Sequence, residues 1–156
     1  MTSKQIAEIL RISKMKSAGI VVQNYFYNGF EADLLHIKDN LLFEYEIKIS
    51  RADFFKDFEK KDKHEKMQAG KMANRFYFVV PTCLVKISEV PEMYGLIYVN
   101  EQGKISTIKR ANELHKNLVG ANFYANLARN LMFRLHNEKV KIENLKNKKY
   151  GKQLEL

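Results

Sequence analysis

Two runs, EADLLHIK over 31–38 and LLFEYEIKI over 41–49, are separated only by Asp39 and Asn40. A two-residue link of that composition closes a β-hairpin, and its length fixes the register of both strands. Lys38 then stands opposite Leu41, and that register sets Leu35 opposite Glu44, Asp33 opposite Glu46 and Glu31 opposite Lys48, these last three pairs on one face by twofold alternation. Ala32, Leu34, Phe43, Tyr45, Ile47 and Ile49 point to the other face and predict a core. His36 shares that side and reads as a hydrogen-bonded buried imidazole. Directly opposed carboxylates at Asp33 and Glu46 destabilise a sheet by roughly a few tenths of a kcal/mol, and a divalent cation between them reverses that sign. An exposed polar face neutralised by Lys48 is the competing reading of the same spacing.

The flanking segments supply the rest of a fold. Thr2 and Gln5 form a capping-box pattern, and Ile6, Ile9, Leu10 and Met15 predict a helix running to about Lys16. After Gly19, IVVQNYFY reads as a strand that Gly29 breaks. Ser50 with Asp53 marks a helix start, and Phe54, Phe55, Phe58, Met67 and Met72 anchor a helix or a broken pair of helices. RFYFVVP is a buried strand closed by Pro81, and GLIYVN and KISTIK form a hairpin about EQG after a loop from Pro91 to Tyr94. A helical pattern returns from Asn112 to about His136, carried by Leu114, Leu118, Leu127, Leu131 and Leu135 and open to interruption at Gly120. The lysine-rich end continues as a helix that frays into a tail. The order α, β, β, β, α, β, β, β, α predicts an α/β (α+β) chain with a mixed central sheet flanked by helices. It reads as one domain over 1–156, with a core over about 3–110 and a helical extension over about 112–150.

The 156 residues, 46% of them hydrophobic, suffice for one sizeable core. The net charge of +9 favours a polyanionic partner, nucleic acid before an anionic membrane surface. No run of about 18 apolar residues and no signal peptide is present, so a soluble cytoplasmic protein is expected, with no membrane partner. Cys83, the single cysteine, has no second thiol for a disulfide or a zinc pair and reads as a bystander. No glycine-rich phosphate loop or nucleophile elbow occurs, which leaves nucleotide-cofactor and serine-hydrolase readings without support.

An acid at Asp33, twelve intervening residues, and then Glu46-Ile47-Lys48 at the end of a strand that enters a helix resembles the PD-(D/E)xK nuclease superfamily, here as EAD and YEIK. EIKISRADFFKDF, KKDKHEKM, NRFYFVVP and VPEMYGLIYV extend the resemblance to small phage and bacterial members related to the MmcB-like DNA repair proteins, over residues 3 to about 110. Ala32 stands where the superfamily often has proline, which removes no ligand. The resemblance implies a restriction-endonuclease-like αβββαβ core and a metal-dependent endodeoxyribonuclease of repair, recombination or phage DNA metabolism. It would act in a bacterial or phage-infected cell.

On that resemblance Asp33 and Glu46 hold Mg²⁺, with Mn²⁺ able to substitute, and the Ile47 carbonyl is a further ligand. Lys48 activates water or stabilises charge on the phosphate. The two acids keep Lys48 charged unless it is desolvated, which favours the electrostatic role. Glu8 on the first helix is a candidate extra metal ligand, against an ordinary exposed helix charge. Glu31 and Glu44 are outer-shell groups or surface acids, and Gln23 reaches the same face if the first strand pairs beside the second.

Ser50, Arg51, Lys60, Lys63, His64 and Lys66 are the DNA-contact candidates, with Lys56 and Lys61 in the same cluster. Phosphate contacts of this kind are sequence-independent and weaken with salt. For any one lysine, a solvated helix face paired with Asp53 or Asp57 is the plainer reading. His115 and His136 read as helix-surface residues. Cutting both strands with one site per chain implies a homodimer, by analogy with small superfamily members. A non-catalytic nucleic-acid-binding protein on the same fold is the alternative, and a basic RNA-binding or ribosome-associated protein is a third, which leaves the opposed acids without a purpose.

Overall fold

The hairpin forms in the register its two-residue link dictates. In the computed structural model, which describes residues 1–151 and the side chains of 1–148, Lys38 pairs with Leu41, Leu35 with Glu44 and Leu34 with Tyr45. Asp39 and Asn40 take φ of 52° and 60°, the left-handed pair of a type I′ turn. The strands are β2 (Phe30–Lys38) and β3 (Leu41–Ile47). β1 (Ile20–Tyr27) pairs with β2 through a second tight turn at Asn28 and Gly29, and helix α1 (Ser3–Met15) opens with the expected Thr2–Gln5 capping box.

After β3 the chain makes α2 (Arg51–Lys56), a 3₁₀ turn over Asp57–Glu59 and α3 (Lys61–Gln68), the broken helix pair. β4 (Arg75–Pro81) runs parallel to β3, and β5 (Gly95–Val99) runs parallel to β4. β6 (Ile105–Lys109) returns antiparallel. The fold is α+β, with a six-stranded mixed sheet in the order β1-β2-β3-β4-β5-β6. Among the described residues no helix is long and apolar enough to cross a membrane.

The sheet is covered on both faces. Ile6 and Leu10 of α1 pack with Leu34, Tyr45, Ile47, Val79, Ile97 and Val99, as alternation predicts. On the opposite face Phe54 of α2 lies edge-on to Phe78, and Phe76 meets Tyr94 and Phe78. Gly95 sits where a Cβ would come 2.3 Å from the Tyr77 ring, so a side chain there would displace Tyr77 from its stack on Tyr45. Ile49, expected in the core, is 45% exposed because β3 ends at Ile47 and Ile49 lies in the turn into α2.

The helix expected from Asn112 begins instead at Ala121, as α4 (Ala121–Gly151). Residues 110–120 are irregular because tertiary hydrogen bonds hold their backbone. Leu114 donates to the Asn74 carbonyl, the Asn74 side chain donates to the carbonyls of His115 and Asn117, and Asn112 donates to Met93. His115 is therefore no helix-surface residue: its Nε2 lies 3.0 Å from the Met72 carbonyl. By contact the chain divides into two compact units, Met1–Leu118 and Val119–Leu156, so residues 112–118 of the expected extension belong to the first unit. Residues 152–156, the expected fraying tail, lie outside the described residues.

Candidate functional site

Asp33 stands where β2 parts from its neighbours. The β2–β3 pairing ends at Leu34–Tyr45, one residue short of the expected Asp33–Glu46 pair, and the β1–β2 pairing skips Asn24 and Asp33. Asn24 has φ of 50°, which turns its peptide out of the ladder. The Asp33 carboxylate takes over a ladder role: its Oδ2 accepts the Ile47 N–H at 2.7 Å. Burial first, and then the charge of Glu46, push the Asp33 carboxyl up to about 6.

The charged face of β3 is buried, which overturns the exposed-face reading. Glu44, Glu46 and Lys48 are 0%, 4% and 5% exposed. Parallel β4 brings Phe76 and Phe78 alongside Glu44 and Glu46, and α2 and α3 lie over that face. Charges in such a place persist only when paired. Lys63 reaches down from α3 to Glu44 at 2.9 Å and Glu46 at 2.8 Å. Lys48 lies 2.9 Å from the other oxygen of Glu46 and 3.0 Å from Asp57. Tyr27 donates to Glu44, Lys60 lies 2.9 Å from Asp57, and His64 lies 3.4 Å from Asp57.

The ionisations follow from this packing. Burial works against charge on Lys48, but Glu46 and Asp57 outweigh it and raise the ammonium. Lys63 is raised in the same way by Glu44 and Glu46. Burial pushes the Glu44 carboxyl up, partly offset by Lys63 and Tyr27. Asp57 is held well below the usual carboxylate range despite its burial, by its hydrogen bond with His64 and by Lys48 and Lys60.

On the α1 side of the fork Asp33 opens into a cavity of about 330 Å³, lined also by Glu8, Gln23, Asn24 and Ile47. The structure thus brings together Asp33, Glu8, Gln23 and Ile47, each singled out from sequence. Glu8 is engaged by Arg11 at 2.6 Å in a pair one turn along α1.

The residues expected to meet DNA separate. Lys63 is 1% exposed and belongs to the buried ion cluster, which corrects its placement as a surface contact. His64 is wedged between Phe58 and Tyr94. Ser50 caps α2 through the Asp53 N–H. Arg51 pairs with Glu89 at 2.5 Å, and Lys66 pairs with Asp62 and lies over the Phe30 ring. Lys60 is the half-exposed ammonium at the edge of the cluster, 3.5 Å from Glu46.

A hard divalent cation suits the donor chemistry of Asp33, Glu46 and the Ile47 carbonyl. The Asp33 carboxyl is raised by its burial and by Glu46, against the weaker pull of the Ile47 N–H, Lys48 and Lys63. Both oxygens of Glu46 already meet ammonium groups, and among the described residues no three or more His, Cys, Asp or Glu side chains converge as a cation cage. Among the described residues the acids therefore form no dedicated cation cage, and an ion at Asp33 would have to share Glu46 with Lys48 and Lys63.

Asp57 and Tyr27 are site residues that sequence reasoning missed. Asp57 reads from sequence as a helix partner for nearby lysines, and only the turn at 57–59 aims it at Lys48. Glu44 carried a signal, its parity with Glu46 and Lys48.

The chain matches no protein-family model and no curated protein. Its structure is similar to that of the SPO1766 protein of unknown function from Silicibacter pomeroyi, with a TM-score of 0.64 and 19% identity over 88% of this chain and 94% of that one. At that identity the likeness shows the fold alone.

Proposed function

We propose that the chain is a metal-dependent endodeoxyribonuclease of the PD-(D/E)xK type, with Asp33, Glu46 and Lys48 as its reacting set. The observation that carries this reading is the fork: Asp33 is lifted out of both ladders beside Glu46, and Lys48 is held charged next to them. The parallel placement of β4 beside the β1–β2–β3 meander supports a restriction-endonuclease-like core.

Asp33, Glu46 and the Ile47 carbonyl would hold Mg²⁺ or Mn²⁺, with Glu8 lining the same cavity as Asp33. The bound ion would supply Lewis acidity and a more acidic water. Lys48 supports the phosphate electrostatically: Glu46 and Asp57 favour its protonated form, so it offsets the charge that grows on the phosphoryl oxygens. Asp57 and Lys63 orient that pair from below. The net charge of +9 supports DNA as the polyanion, and a homodimer would present two such sites to a duplex.

Labelled linear, nicked, flapped and four-way-junction DNAs incubated with Mg²⁺ or Mn²⁺ test this reading. Cleavage that EDTA stops, and that falls about 10²–10³-fold in Glu46→Ala and Lys48→Ala, is the expected result. DNA binding without cutting, unchanged in both variants, would leave the non-catalytic binding protein.

A further inference from the structure

From Leu131 onward the described apolar side chains of α4 are uncovered. Leu131, Leu135, Ile142 and Leu145 are 39% to 67% exposed, whereas Leu127, nearer the start of the helix, is 2% exposed. Together with Glu138 these four follow the alternating four-and-three spacing of a heptad, and at about 3.6 residues per turn they fall within an arc of roughly 80°. An arc of that width is a coiled-coil seam, narrower than the face a helix lays on a globular core. A continuous exposed apolar strip of this kind marks an interaction surface. We infer that the seam of α4 docks an acidic amphipathic helix of another protein as a two-stranded coiled coil. The inference stands on α4 alone and does not use the nuclease reading.

The positions beside the seam select the partner by charge. Arg134, Lys139, Lys141, Lys146 and Lys148 occupy them, with Met132 the neutral member. The acids of the described helix are Glu138, inside the seam, and Glu143, outside both the seam and its flanks. Flanking residues of two coiled helices lie beside one another and decide which partner is accepted. A second copy of this chain brings like charges together: a parallel pair sets Arg134 by Lys139 and Lys141 by Lys146, and an antiparallel pair sets basic flank on basic flank. Glutamates and aspartates on the partner's flanks meet the same residues with the opposite sign.

Glu138 narrows the choice further. It sits in the middle of the seam between Leu135 and Ile142, with the Lys141 ammonium 2.6 Å from its carboxylate. One polar group at a seam position fixes register and partner in a coiled coil, so the facing seam residue of the partner is a lysine or arginine. A parallel second copy would set Glu138 against itself. An anionic membrane attracts the flanking lysines, but the apolar face would carry the Glu138 carboxylate into the acyl boundary, which opposes insertion. A nucleic-acid backbone gains nothing from the exposed leucines. Phe133 and Val140 lie on the opposite side of the helix, seven residues apart and too sparse for a second seam.

The test uses the full chain and a fluorescein-labelled peptide of about four heptads, with leucine at the seam positions, glutamate on both flanks and one central lysine, beside the same peptide with lysine flanks. Fluorescence anisotropy should show the acidic peptide bound at least a hundredfold more tightly than the lysine-flanked one, with the gap narrowing as salt rises. Leu135→Asp with Ile142→Asp, a change at two exposed positions, should weaken the acidic peptide at least tenfold. Glu138→Lys should reverse the central preference, so that a central glutamate in the peptide binds better than a central lysine, an exchange that a misfolded helix would not produce. Equal binding of the two peptides, binding unchanged in the double variant, or no reversal in Glu138→Lys would overturn the inference. So would a wild-type dimer in analytical ultracentrifugation that the double variant dissociates, which would assign the seam to a second copy. Binding to phosphatidylglycerol vesicles without binding to the acidic peptide would assign it to a membrane and overturn the inference as well.

Discussion

The Asp33 carboxylate lies 2.7 Å from the Ile47 amide, at the position where the β1–β2 ladder skips one pair and the β2–β3 ladder ends. One side chain thus closes the end of β3 and faces an open cavity with a carboxyl that titrates near 6.

That value has a direct consequence for stability. An acid raised from 3.8 to about 6 stabilises the fold fully below about pH 4 and loses that contribution as pH rises through about 6. Wild type should therefore fall behind Asp33→Asn by roughly 1–2 kcal/mol between pH 4 and pH 7.5 in urea unfolding. Adding Mg²⁺ at pH 7.5 should raise the melting temperature of wild type and leave Asp33→Asn unmoved. A wild-type melting temperature indifferent to Mg²⁺ and Mn²⁺ would remove the cation site.

Lys63 is the buried counter-charge for both Glu44 and Glu46. Lys63→Met leaves two carboxylates without it and should cost about 3–5 kcal/mol. The cost should shrink in Lys63→Met with Glu44→Gln, which removes one of the two acids that Lys63 pairs with. In DNA binding, exposed Lys61→Ala should lower the salt dependence, while Glu44→Gln should leave it unchanged. A Lys63→Met protein as stable as wild type would show that the cluster is not closed in solution.

Asp57 gives the opposite pH behaviour. Its carboxyl is depressed by His64, Lys48 and Lys60, so its contribution is present above about pH 4 and disappears as pH falls further. Asp57→Asn should cost roughly 2–4 kcal/mol at pH 7 and flatten the acid limb of the stability curve. An acid midpoint the same in both proteins would count against the His64–Asp57–Lys48 linkage.

The hairpin was legible because a two-residue turn leaves one register, and the pairs from Lys38–Leu41 to Leu34–Tyr45 follow from it. Twofold alternation placed Glu44, Glu46 and Lys48 together but could not tell that the face is buried. That depends on parallel β4 and on α2 and α3, whose packing is non-local. Lys63 looked like a surface lysine because its helix reads KKDKHEKM, with nothing to mark which lysine turns inward. The segment 112–118 misled for a related reason. Its leucines have helical spacing, but Asn74 holds its carbonyls and overrides the local preference.

Lys48 separates two ways of using a lysine. A general base must be neutral, and Glu46 and Asp57 make the neutral form of Lys48 scarce at any ordinary pH. An electrostatic lysine needs only its charge, so Lys48→Arg should keep a measurable fraction of cleavage while Lys48→Met loses about 10²–10³-fold. The logarithm of the wild-type rate should level off once the carboxylates and the attacking water are ionised, with no further rise towards pH 10. Asp57→Asn, which removes one of the two carboxylates that keep Lys48 charged, should leave that plateau in place at pH 7–8. A rate that climbs tenfold per pH unit up to pH 10, and an inactive Lys48→Arg protein, would assign Lys48 the proton-transfer role instead.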